Sequence, residues 1–447
     1  MIGRPTTTAP RPYRFPDFAH HRLDNGLGVW LVPLRDRELV SIHLLTDAGA
    51  ATEAEEQAGL ASLTAKLLVT GTQRLDASSF AETTERLGIE VGSESSWDSA
   101  RAGFTALGSK LEDGLGLLAE MLRTPRLDAG EFDRIKSERL NDILQARADP
   151  GRLADESFLR ELFADAQPYG RLASGRPETV EGLTVEHARS FHAVNYAPNV
   201  ADIVIAGAID PASALASVER NLADWSGTAP GHRSFEPVQR GGRRVVVVDR
   251  PGSVQSELRV GHLGIDRHDP RYFPALVMAA LLGGVFGSRL NLRLREELGY
   301  TYGARCSYDP RRAVGPFTAT AAVQTEVTVD AIRELLGQLE RIRHEPPSEE
   351  ELRGVRDYLV GVFPLRFETT GGIASALEPL AVYDLPNDWW HNYRTSLESV
   401  TADDVHRVAR ELVRPEEALI LLTGDAQTLR GDLEGADLGP VEVIAAA

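Results

Sequence analysis

The sequence is poor in the residues that carry redox and metal chemistry. Of 447 residues only Cys306 is a cysteine, so an intramolecular disulfide is excluded, and a lone thiol in a strand-like run reads as a small buried hydrophobe. The eleven histidines form neither H-E-x-x-H nor its inversion H-x-x-E-H, and His187 and His192 are five apart and share no helix face. No helical zinc site can be assembled from them. No apolar run approaches membrane-spanning length. The opening MIGRPTTTAPRPYRFPDF has no apolar stretch of the kind a secretory signal needs, so the expectation is a cytoplasmic protein. A basic surplus is missing too: 48 Lys and Arg face 66 Asp and Glu, for a net charge of −18. That balance argues against a nucleic-acid or anionic-membrane surface, both of which need clustered cations.

What is present is ordinary globular material, 42% hydrophobic and 26% charged, in a chain long enough for two or more cores. The chain also compares well with itself. LGIEVGSESSWD from Leu87 and LGYTYGARCSYD from Leu298 share leucine, two glycines, a serine, an aromatic and an aspartate in register. A second match pairs the segment from Leu183 with the one from Val400. Each reads as a threonine N-cap, an amphipathic helix, a proline turn and an apolar strand closing on Gly207 or Gly424. Strands are expected at 28–32, 40–46, 90–95 and 101–107, and again at 245–248, 256–263, 301–307 and 317–323. Helices are expected between them at 58–68, 79–87, 272–282 and 288–298. Short connections between strand pairs favour antiparallel sheets with helices on one face. The class is therefore α+β, with two homologous domains. Expected boundaries are an extension over 1–19, a first domain over 20–225, a Gly- and Pro-rich linker over 226–242, a second domain over 243–435 and a tail over 436–447.

One stretch carries most of the functional information. Residues 59–72, GLASLTAKLLVTGT, resemble the catalytic helix of the pitrilysin, insulin-degrading enzyme and mitochondrial processing peptidase family, whose pattern is close to G-L-A-H-x-x-E-H-x-L-x-x-G-T. Gly59, Leu60, Ala61, Leu68, Gly71 and Thr72 match the frame. The two histidines and the glutamate fall on Ser62, Lys66 and Ala65. Two imidazoles four apart on a helix point the same way and share a metal, and the glutamate between them polarises its water. A hydroxyl, an ammonium and a methyl group do none of this. The family's third ligand, a glutamate further on, falls near Asp142 or Ile143. The resemblance thus implies a zinc-free chain. A Ser62–Lys66 nucleophile is discounted, because the known Ser–Lys pattern spaces its residues by three.

A second stretch, LLGGVFGSRLNLRLREELGYTYG from Leu281 to Gly303, resembles the family's second-domain signature, with Arg293 preceding Tyr300 by seven residues across a Leu-Gly helix end. In the family, this pair faces the zinc site and supports the tetrahedral intermediate. Taken alone, R-x-R-E-E is a solvated helix face and a tyrosine opening a strand is packing. The flanking match turns the reading toward function, while Arg289 and Arg295 are read as structural. GGVFGS lacks the G-K-[ST] of a phosphate loop. Glu94, Ser96 and Asp98 read as a solvated strand edge. The resemblance implies a zinc-free subunit of a heterodimeric metallopeptidase like the bacterial processing peptidases, inactive alone, with no cofactor of its own. A homologous partner would carry the zinc and an extended peptide would be the substrate. The alternatives are a structural subunit and a peptide-binding homodimer without hydrolysis.

Overall fold

A computed structural model describes residues 11–164 and 167–446; the first ten residues of the expected extension and the last residue of the expected tail lie outside the described residues. Each half of the chain builds one six-stranded sheet. The first contains β1 (Ala19–Arg22), β2 (Gly28–Pro33), β3 (Leu39–Thr46), β4 (Glu90–Ser95), β5 (Ala100–Leu107) and β6 (Ala201–Gly207). The second contains β7 (Arg244–Asp249), β8 (Gln255–Leu263), β9 (Ala304–Tyr308), β10 (Pro316–Gln324), β11 (Leu419–Gly424) and β12 (Val441–Ala445). Their orders are β1-β2-β6-β3-β5-β4 and β12-β7-β11-β8-β10-β9. Five positions correspond one to one, and most ladders are antiparallel. The parallel pairs are β2 with β6, β7 with β11 and β7 with β12.

Composition explains which strands are central. GVWLVP in β2 and LILLTG in β11 are apolar throughout and buried on both faces. EVGSES in β4 alternates exposed and half-buried residues, as an edge strand does. The internal repeat has a backbone counterpart: Gly88 and Gly299 both lie in the left-handed region, at φ 63° and 65°, where each turns the chain after a helix. The halves differ at the outer edge. The first sheet ends in a strand antiparallel to β2, the second in a strand parallel to β7. That last strand comes from residues expected as a tail.

Helices cover both faces of each sheet, where only one covered face was expected. One face of the first sheet, including Leu31, Ile42, Phe104 and Ile205, packs on helices of its own half. Its other face presents Trp30, Val32, Leu45, Val204 and Ala206 to a core shared with the second half. Helix Thr370–Val382 lies there, pinned by Ser41 Oγ to Thr370 Oγ1 at 2.8 Å, His43 Nδ1 to Glu378 Oε1 at 2.6 Å and Arg101 Nη1 to the same oxygen at 2.8 Å. Burial would raise the Glu378 carboxyl, yet His43 and Arg101 hold it below the usual range. The converse happens in the second half. Leu153, Ala154, Phe158 and Leu162 of helix Pro150–Leu162 pack on Val246, Val248, Leu419 and Leu421. Arg259 on β8 donates to Asp155 and to the Gly151 carbonyl of that helix. Register makes His43 and Arg259 equivalent, since they pair with Val204 and Leu421 of the matching strands.

The junction between halves is also polar. Asp98, read from the sequence as part of a solvated edge, is only 7% exposed. It accepts from the Tyr169 hydroxyl at 2.6 Å, the Arg312 N–H at 3.1 Å and the Tyr383 hydroxyl at 3.2 Å. The segment before β1 is likewise committed: Tyr13 and Phe15 join Phe363, Phe367 and Trp390 of the second half in an aromatic cluster.

Truncating either exchanged helix should therefore destabilise the whole chain. Leu377→Ala and Phe158→Ala are each expected to cost about 2–5 kcal/mol in urea unfolding, within one transition shared by both halves. Two separate transitions, with only one moved by each change, would contradict the shared core.

Candidate functional site

Helix Leu60–Leu68 keeps the family frame for reasons of backbone and packing. Gly59 stands at φ 100°, and a Cβ there would lie 2.9 Å from the Ser174 carbonyl oxygen. Gly71 stands at φ 139°, with the Leu75 carbonyl oxygen 2.6 Å from a built Cβ. Thr72 is fully buried, donating to Glu120 and accepting from the Leu75 N–H. Glu53 caps the helix by accepting from the Gly59 N–H at 3.1 Å and the Ala61 N–H at 2.5 Å. Burial pushes its carboxyl up to about 8, against those two donors and the nearby Arg171.

The positions that would carry chemistry are filled differently. Arg139 Nη2, from helix Ala129–Ala148, donates to Ser62 Oγ at 2.6 Å. The Lys66 ammonium sits 3.8 Å from Asp142 Oδ2. Of the two residues the resemblance offers for a third ligand, Asp142 faces Lys66 and Ile143 is buried in the core. Ala65 is buried and offers no base. A fixed ammonium and a guanidinium stand where a dication and its donors would have to stand, so these residues do not fit zinc. No group of three or more His, Cys, Asp or Glu side chains among the described residues could hold a metal ion.

These residues open on a cleft of about 470 Å³ built wholly from the first half, lined among others by Ser62, Lys66, Arg139, Ser93, Ser95 and Ser174. Edge strand β4 forms one wall. Arg293 and Tyr300 are not part of it. They belong to a segment whose helix, expected over 288–298, forms a wide π-turn at Asn291–Glu297. A preceding π-turn at Ala280–Gly284 brings Gly283 so close to β9 that a Cβ would meet the Cys306 nitrogen at 2.3 Å. Cys306 is buried and its thiol is pushed up by that burial, in keeping with a packing role.

Arg293 is tied within its own half. It donates to both Glu334 oxygens, at 2.8 and 2.9 Å, and to Glu297 at 2.8 Å. Tyr300 is half-buried against the core. The same seven-residue spacing recurs two residues on, in Arg295 and Tyr302. Tyr302 is 93% exposed, and the Arg295 guanidinium lies 4.5 Å over the ring of Phe286, itself exposed. Sequence reading set Arg295 aside as structural. The two pairs share their spacing and differ in the exposure of the tyrosine and in the partners of the arginine. Arg289, the other arginine set aside, is buried against Glu351.

A two-sheet chain with a metal helix stripped of its ligands defines a zinc-free relative of a metallopeptidase fold. The family model described as insulinase, peptidase family M16, matches residues 33–172, and the model described as peptidase M16 inactive domain matches residues 182–359. The chain belongs to the M16 peptidase family. It is similar to an uncharacterized zinc protease of Streptomyces coelicolor, at 23% identity over 91% of this chain and 90% of that protein. It is also similar to a non-peptidase homolog, YmxG, of Helicobacter pylori, at 25% identity over 73% and 76%. In fold it matches the crystal structure of a peptidase M16 inactive domain from Pseudomonas fluorescens, with a TM-score of 0.84 and 24% identity over 92% of this chain and 98% of that one.

Glu53 gives the helix a pH signature. A carboxyl raised in the folded state binds a proton that the unfolded chain has lost, so stability falls as pH rises from the ordinary carboxylate range through about 8. The slope is expected to approach 1.4 kcal/mol per pH unit, roughly the value of one pKa unit. Glu53→Gln should flatten it. Equal slopes in both proteins, measured by urea unfolding from pH 5 to 9, would remove the assignment.

Proposed function

We propose that this chain is the zinc-free subunit of a two-chain M16 peptidase, working beside a homologue that carries H-x-x-E-H and the zinc. The observation that carries the reading is the division within the chain itself. The frame of the metal helix is kept by backbone demand, while its ligand positions hold Ser62, Ala65 and Lys66, paired with Arg139 and Asp142. Meanwhile the second-half signature keeps its arginines and tyrosines. Two seven-residue pairs are available there. Arg293 with Tyr300 is held in place by carboxylates and packing. Arg295 with Tyr302 stands beside exposed Phe286 and Leu292, a patch suited to contact outside the chain.

In this reading the arginine offers a planar fork to substrate carbonyl oxygens, and the tyrosine hydroxyl adds a donor where oxyanion charge develops. The peptide is extended and adds to an open sheet edge. The complex works in the cytoplasm on short or unfolded peptides, and the chain alone is inactive. The retained Arg–Tyr pairs, one of them with its tyrosine exposed, support the peptidase reading over a scaffold.

The test is cleavage of a quenched fluorescent peptide library by this chain, by the H-x-x-E-H homologue, and by their equimolar mixture. Activity is expected only in the mixture. Removing one donor of the working pair, by Tyr300→Phe or Arg293→Ala, should lower kcat about 10²–10³-fold. Arg295→Ala and Tyr302→Phe determine which pair does the work. A mixture no more active than the homologue alone, with no complex on gel filtration, would leave a peptide binder or scaffold.

A further inference from the structure

The cleft beside the former metal helix has an imbalance of charge. Among its acids, Glu94 pairs with Arg101, Asp155 with Arg259 and burial raises the Glu156 carboxyl toward its neutral form. Its two cations are less well matched. Among the described residues, Lys66 is paired with Asp142 alone, at 3.8 Å and half exposed, an ion pair of small consequence. Among the same residues Arg139 feels Asp142 but has no carboxylate at hydrogen-bond distance: its Nη2 donates to a neutral hydroxyl, and its Nε is buried without a partner. A desolvated guanidinium with an unused donor costs stability unless an acceptor arrives. In a chain of net charge −18, two neighbouring cations without a close carboxylate partner are not the expected background.

The wall opposite supplies polar groups as well. Ser93 and Ser95 of β4 line the cleft, and both hydroxyls are buried without hydrogen-bond partners. The outer edge of β4 pairs with no strand among the described residues, so its backbone row is open to an added strand.

We infer that Lys66 and Arg139 form a carboxylate-binding site in place of the metal, which receives an acidic group of an extended peptide laid along β4. The site rests on the peptide-binding part of the function proposed above, and specifies the substrate class: peptides that end, or carry an acidic side chain, at this position. The guanidinium fork and the ammonium share the carboxylate, and the peptide backbone beside it pairs with the open edge of β4. A fixed positive pair here does for binding what a metal would do, without activating water.

The test uses the full chain, with and without its H-x-x-E-H homologue, and a fluorescein-labelled peptide, Gly-Thr-Val-Ser-Thr-Val-Ala. It is made with a free C-terminal carboxylate, as the C-terminal amide, and as an amide with glutamate replacing the final alanine. Fluorescence anisotropy reads the affinity. At least one of the two acidic forms is expected to bind tenfold or more tightly than the neutral amide, and which one identifies the source of the carboxylate. Arg139→Gln and Lys66→Gln should abolish that preference while leaving the amide's affinity unchanged. Lys66 is exposed enough that its variant serves even if Arg139→Gln fails to fold. Equal binding of all three forms, or a preference that survives in Lys66→Gln, overturns the carboxylate site and leaves peptide binding standing. No binding of any form, alone or with the homologue, removes both.

Discussion

The structure depends on the reciprocal exchange of two helices. Each sheet has one face buried by its own half and one buried by a helix lent from the other: Thr370–Val382 covers the first sheet and Pro150–Leu162 the second. Apolar burial drives the exchange, and a basic residue at an equivalent strand position fixes its register. His43 meets Glu378 and Arg259 meets Asp155. Each pair has a largely buried basic partner, His43 or Arg259, which is costly to leave without its carboxylate, so the pairs specify the arrangement more than they add stability. The two halves share an ancestral pattern and are still not separable packing units.

That interlock fixes the relation of the two functional segments. The former metal helix and the π-turn segment belong to different halves, and the cleft beside Lys66 contains no residue of the second half. The interlock holds the Arg293–Tyr300 segment and the cleft beside Lys66 in separate halves of one packed unit. The kept frame of helix Leu60–Leu68 has the same logic. Gly59, Gly71, Thr72 and Glu53 serve the backbone and cap, a role that needs no metal.

Most of the architecture was legible in the sequence because it rests on local signals. Apolar runs marked the central strands, and β4 falls on the expected residues. The Leu-Gly repeat marked two helix ends that prove to be left-handed glycines. What escaped was non-local. Nothing in the alternation of PGRLADESFLREL tells which sheet its apolar face will cover. Asp98 looked like surface because its three donors, Tyr169, Arg312 and Tyr383, come from distant segments. The residues of the expected tail gave no sign that they would pair with β7. At the candidate site, Arg293 and Tyr300 were singled out by their flanking match to the family signature. Nothing in the sequence showed that Tyr300 is half-buried and Tyr302 exposed, a difference set by tertiary packing. The pairing of Lys66 with Asp142 joins two helices far apart in sequence, and no local pattern announced it.

The helix exchange also sets a timetable for synthesis. The last strand of the first sheet ends at Gly207, yet the helix that closes its second face begins only at Thr370. At about 5–20 residues per second the ribosome takes on the order of ten seconds to make the intervening chain. Throughout that interval Trp30, Val32, Val204 and Ala206 have no cover, and neither do Tyr13 and Phe15, whose aromatic partners lie at 363–390. These apolar residues of the first half therefore have no native cover until the second half has emerged.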